Sequence, residues 1–141
     1  MSKFSNYTEG NILETTLRGA AFPVPTKGYL ALFTADPTDA NITANECTLA
    51  AWPAYARQDA AAGAAIATGW TAQSDGVSTN AKVMTYAANN GAASITVTHI
   101  GIYDALTGGN LLYHAPLVSS KTLLVGDVLS FGIAALTVTV A

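Results

Sequence analysis

From Lys82 to Val140 the chain is cut into short periodic segments: Lys82 to Ala87, Ser94 to Asp104, Asn110 to His114, Thr122 to Val125, Asp127 to Ala134 and Leu136 to Val140. Turn residues separate most of them, as "NNGA", "TGG" and "VGD". Short alternating runs at near-regular spacing, punctuated in this way, are the pattern of an all-β sandwich or jelly roll. Within "VLSFGIAALTVTV", Leu129, Phe131 and Ile133 fall on one face before the apolar parity shifts to Leu136, Val138 and Val140. That slip predicts a bulge or short turn near Ala134-Ala135.

Further upstream, "YLALFTA" reads as another strand, with Tyr29, Ala31 and Phe33 to one side and Leu30 and Leu32 to the other. Both faces are apolar, which predicts a central strand covered on both sides. The preceding "FPVPTKG" breaks any helix. Before it, "NYTEGNILETTLRG" offers Asn6 as an N-cap with Glu9 three residues later, Ile12, Leu13 and Leu17 at helical spacing, and Gly19 as a stop. Gly10 and two adjacent threonines lower its propensity, so the expected helix is short.

Between Asp36 and Gly69 the periodicity is replaced by Pro, Asn, Asp and runs of Ala, with Trp52 and Tyr55 as the large anchors. Alanines near Leu49 to Ala56 favour a helix that Pro53 keeps from being long. The stretch predicts a surface excursion packed down by those aromatics. Residues 1–141 thus read as one domain: an N-terminal arm or helix over 1–27, and a sandwich over 28–141 with the Ala-rich excursion at about 36–69.

A chain of 141 residues can bury about 70% of the surface its unfolded form exposes, so it can stand without staples. The single cysteine, Cys47, has no intrachain partner and reads as a buried or idle thiol. Charged residues make up 11% of the chain and sum to −3. An ordinary soluble domain carries roughly 25%. Lys3, Arg18, Lys27, Arg57, Lys82 and Lys121 are scattered singly. Without a basic stripe to neutralise a run of phosphates, a nucleic-acid partner is not expected. No window reaches the roughly 20 apolar residues that span a bilayer, and the N-terminus has no signal-like apolar run, so no membrane partner is expected and the chain reads as made in a cytoplasm. A weakly charged surface offers little repulsion against association, which suits a protein covered by copies of itself or by a partner. A homo-oligomer is expected, a dimer before a trimer.

The stretch "VTHIGIYDALTGGNLLYHAPL", Val97 to Leu117, holds both histidines, an aspartate and two adjacent glycines. In a regular strand Val97, His99, Gly101 and Tyr103 share one face, while Thr98, Ile100, Ile102 and Asp104 share the other. His99 and Asp104 therefore point in opposite directions. The two histidines can face each other across a hairpin turned by "ALTGG". Two histidines do not make a structural zinc site, and no metal or other cofactor is expected. "TGGN" lacks the lysine and helix of a phosphate loop, and no G-x-S-x-G motif occurs, so no catalytic residue is assigned and no enzyme is expected.

The segments "YLALFTADPTD", "YARQ", "THIGIYDALTGGNLLYHAPL" and "GDVLSF", in this order, resemble a family of small tailed-phage virion proteins, tail-fibre-like and in several phages serving as the capsid cement or decoration protein. The resemblance covers most of Gly28 to Val138. It implies a jelly-roll-like β-sandwich on the outside of the major capsid protein lattice, as a homo-oligomer without catalytic residues. Each bridge between neighbouring subunits would add apolar burial that must be lost before a shell can part. Contact with the partner is expected from two places not needed to complete the sandwich: Phe4, Tyr7, Ile12 and Leu13 in the Ser2 to Leu17 segment, and Trp52, Tyr55 and Arg57 in the excursion. The alternative is a tail-fibre or receptor-binding module with Trp52, Tyr55 and Trp70 exposed for glycan contact. A carbohydrate-active enzyme is a remote third.

Overall fold

The computed structural model describes residues 3–140, and among them the chain forms nine β-strands, one α-helix and two short 3-10 turns. The helix, α1 (Asn6–Arg18), starts one residue earlier than the sequence suggests. Ser5, with extended φ and ψ of −82° and 163°, is the N-cap and accepts a hydrogen bond from the Thr8 amide. Gly19 ends the helix at φ 71°, a left-handed conformation that glycine adopts without steric cost. Hydroxyls and an aromatic ring fasten α1 to the body: the Ser5 hydroxyl donates to the Leu111 carbonyl, the Thr8 hydroxyl to that of Leu112 at 2.9 Å, and Tyr7 packs against the main core.

Five strands form one antiparallel sheet in the order β1 (Lys3–Phe4), β7 (Leu111–Leu123), β6 (Ile95–Tyr103), β2 (Tyr29–Phe33) and β3 (Gln58–Asp59). Two ribbons complete the fold, β4 (Val77–Thr79) with β9 (Thr137–Thr139), and β5 (Met84–Thr85) with β8 (Ser130–Phe131). This is the expected antiparallel all-β fold with a short N-terminal helix. The strand pairing is one large sheet with two small ribbons, not the even pair of sheets of a jelly roll. Tyr29, Ala31 and Phe33 meet one cluster, with Tyr103 and Leu111, while Leu30 and Leu32 enter the main core. The two-sided reading of β2 holds.

Two register details depart from the sequence reading. Val97 stands opposite Lys121 but His99 opposite Pro116, so Thr98 alone faces the stretch from Leu117 to Ser120. This bulge reverses the parity of β6: Ile95 and Val97 before it, and Ile100 and Ile102 after it, all reach the main core. Val97 therefore does not share a face with His99, Gly101 and Tyr103, as a regular strand would require. The same bulge hides the continuity of β7, which runs unbroken from Leu111 to Leu123 and so joins the expected segments Asn110 to His114 and Thr122 to Val125. The expected parity slip near Ala134-Ala135 is a tight turn, with Ala134 at φ 59° and the Ala135 amide on the Gly132 carbonyl.

The excursion is pinned down as its aromatics suggest, but Leu49 to Ala56 forms turns and not the helix its alanines favour. Trp52 and Tyr55 pack at a ring-centre distance of 5.5 Å, and both pack on Tyr86 at 6.1 Å. Full burial of an aromatic side chain of this kind stabilises by about 1.5–3 kcal/mol. Their polar ends are satisfied: Trp52 Nε1 donates to the Ala88 carbonyl and Tyr86 Oη to that of Leu30. Buried Asn80 and Asn89 stand in for missing strands. Asn80 donates to the carbonyls of Lys82 and Gly132 and accepts from the Leu136 amide, and Asn89 ties Ala93 and Leu123 to Gly91.

Candidate functional site

The β6–β7 hairpin turns through Asp104–Asn110, where Gly108 and Gly109 take φ of 62° and 72°. The Asp104 carboxylate closes the turn by accepting from the Asn110 amide and side chain at 2.7 and 2.8 Å. Arg57 braces it from beneath. Its Nη1 donates to the carbonyls of Ala105 and Gly108, its Nε and Nη2 take both oxygens of Glu46 at 2.8 and 2.7 Å, and its guanidinium lies 3.5 Å over the Tyr103 ring. Glu46 also accepts from the Tyr55 hydroxyl at 2.9 Å. Burial, together with the Glu46 charge, pushes the Tyr55 phenol far up and the adjacent Cys47 thiol up to about 12. Cys47 is thus an inert core thiol at neutral pH.

On the other flank the loop from Asp36 to Asn41 bends over the sheet beside both histidines. His114 Nε2 lies 2.8 Å from Asp39 Oδ1 and its Nδ1 3.3 Å from Asp36 Oδ1, while His99 Nε2 is 3.9 Å from Asp36 Oδ2. The histidines do converge, through a shared carboxylate rather than directly. The amide of Thr38, donating to Asp36, is the main cause that holds this carboxyl below its usual value, with His99, His114 and Lys3 assisting against burial. His99 Nδ1 also pairs with the Thr98 hydroxyl at 2.8 Å, which gives a hydroxyl, an imidazole and a carboxylate in sequence. At 3.9 Å the carboxylate is too far to orient the ring by a hydrogen bond, so the geometry of a nucleophilic relay is not made. Among the described residues no group of three or more His, Cys, Asp or Glu is placed to hold a metal ion.

A third feature is an open apolar groove of about 200 Å³ between the sheet and the β4–β9 ribbon, walled by Ile66, Trp70, Ile102, Leu112, Tyr113 and Val138. Trp70 is the one tryptophan with part of its ring open to this space; Trp52 is wholly enclosed.

The residues expected to meet a partner divide sharply. Phe4 and Tyr7 are half-buried on the body, Phe4 with its ring 5.3 Å from that of Tyr113. Ile12 is half-buried, whereas Leu13 is 57% and Leu17 77% exposed. Trp52, Tyr55 and Arg57 are interior, and this corrects their expected place on a contact surface: each found its partners inside the chain, in the aromatic cluster or on Glu46. Ser2 lies outside the described residues. Sequence reasoning missed Asp36, Asp39 and Glu46, whose partners lie far along the chain; only the polar run "DPTDAN" hinted at a structured loop.

Residues 3–139 match the family described as podophage GP4 fiber I protein gp80. The chain belongs to that family. No curated protein matches it. As a podophage fiber I family member it is a structural protein of a tailed-phage virion, as the resemblance in its sequence implied. The match spans both the arm and the sheet, so the fiber I family unit includes α1 as well as the β body. Among the described residues of this fiber I family chain, no helix is long and apolar enough to cross a membrane.

Proposed function

We propose that this chain is a structural subunit of a virion fibre, joined to a neighbouring virion subunit through the N-terminal arm. The observation that carries the reading is the family match, whose description speaks of a fibre and whose extent takes in the arm. The arm suits attachment. Its first turn is tied to β7 by hydroxyls, while Leu13 and Leu17, one helical turn apart, present an apolar edge to solvent. The role is mechanical, and the braced hairpin and pinned excursion supply a stiff body for it.

Gold-labelled antibody on intact particles tests the assignment. Label confined to a few discrete appendages is expected. Label over the whole shell would overturn it in favour of a cement protein seated on the major capsid protein lattice. Leu13→Asp with Leu17→Asp should block incorporation into particles while the isolated chain keeps its β circular dichroism, because neither side chain supports the core.

A further inference from the structure

His114 is only 3% exposed, yet it has a carboxylate oxygen against each ring nitrogen, Asp39 at 2.8 Å and Asp36 at 3.3 Å. A neutral imidazole has one N–H and one lone pair, so it can serve one of these acceptors and must turn a lone pair towards the other. The imidazolium has an N–H on each side and serves both. Two further basic groups face the same carboxylates: His99, 3.9 Å from Asp36, and Lys3, opposite His114 across the β1–β7 pair and favourable to the charged form of Asp36.

Those carboxylates belong to a loop that lies beside the N-terminal arm on β7 and meets it at Asn6. The Asn6 amide donates to the Asp39 carbonyl at 2.8 Å, the Ser5 amide to the Leu112 carbonyl at 3.2 Å, and Lys3 and Phe4 pair with His114 and Tyr113. Within the loop Thr38 and Asn41 sit at φ of 57° and 58°. A β-branched residue rarely takes that conformation, so contacts to the body must hold the loop in place. The hydrogen bond from Tyr103 to Asn41, that of the Asn45 side chain to the Asp36 carbonyl and the burial of Pro37 are such contacts, and the imidazole between Asp36 and Asp39 is a further one.

We propose that His114 is a proton-operated clasp. As the imidazolium it locks the Asp36–Asn41 loop onto β7 and with it docks the N-terminal arm; on losing its proton it lets go of Asp36, and loop and arm loosen together. The clasp is a property of the isolated chain and stands apart from where the virion carries it.

Amide hydrogen exchange of the whole protein tests it, read at Ser5 and Asn6 and corrected for intrinsic rates, at about pH 5.5 and about pH 8, on either side of the imidazole range. Protection of these two amides should fall roughly five- to tenfold at the higher pH, the difference between a charge-assisted and a neutral hydrogen bond. Core amides of β2 should not change. His114→Gln should abolish the pH dependence and His99→Gln should keep it. Should His114→Gln fail to fold, Asp39→Asn, which keeps the shape and removes one acceptor charge, should shrink the dependence. Equal protection at both pH values in the natural chain, persistence of the dependence in His114→Gln or undiminished in Asp39→Asn, or its loss in His99→Gln would each overturn the clasp.

Discussion

Arg57 shows how much one side chain can organise. It joins Glu46 in the excursion to the carbonyls of the hairpin turn, which no local propensity brings together. Removing one partner of a buried pair leaves an uncompensated charge, so Arg57→Ala should lower stability by about 3 kcal/mol or more, read as a drop in the urea midpoint with an unchanged slope. Gly101 tests packing without charge. A Cβ there would come within 2.8 Å of Leu111 Cδ1 and Phe33 Cε2. Gly101→Ala should therefore cost about 1–3 kcal/mol by overpacking the smaller cluster, measured by thermal unfolding. A change smaller than about 0.5 kcal/mol would mean that the rings at this site yield freely.

At the scale of elements, the arm and the Asp36–Asn41 loop meet where the Asn6 amide donates to the Asp39 carbonyl, and both lie against β7, the arm through β1 and Ser5 and the loop through His114. Asp36 adds an acid limit to that loop. Its folded pKa is lowered from the ordinary 3.8, chiefly by the Thr38 amide. A lowered carboxyl stabilises above its unfolded value and loses that contribution as pH falls through the folded one. Acidification below about pH 4 should therefore loosen the loop first. Exchange of the Thr38 and Asn6 amides should rise before the β6 amides respond, and Asp36→Asn should remove this acid step. The hairpin is held by its packing against the main core. Ile102 on its buried face is the sensitive position: Ile102→Asp should prevent folding, since an unpaired buried charge costs several kcal/mol against a total stability of about 5–15. Loss of the β-sheet circular dichroism signal would show it.

For the whole molecule, charge and shape point outward to neighbours. Only 11% of residues are charged, and Leu13, Leu17, Val24, Val118, Leu124, Val125 and Val128 lie exposed. Such a surface offers little repulsion and much apolar area. We propose that the chain self-associates, and sedimentation at micromolar concentration should give a dimer or a larger assembly; a clean monomer would confine association to the virion. The long free edge of β7 does not invite it, because Pro116, Lys121 and the bulge facing Thr98 break the edge that another strand would need.

The sequence by itself determined the parts whose signal is local. Alternation and turn residues marked β2, the hairpin and the Ala134 turn, and Gly19 marked the end of α1, because side-chain periodicity and left-handed backbone are properties of neighbours along the chain. The aromatic anchors of the excursion were legible for the same reason: Trp52 and Tyr55 had no other large residues near them to share their burial. Tertiary structure decided what depends on residues that meet across space. The parity of β6 turned on how much of β7 lies opposite Thr98, and the fate of Arg57 on Glu46 and a turn some fifty residues away. The convergence of His99 and His114 depended on a loop whose carboxylates are distant in sequence. A charged or bulged position is settled by its partner, and one chain read in order does not name the partner.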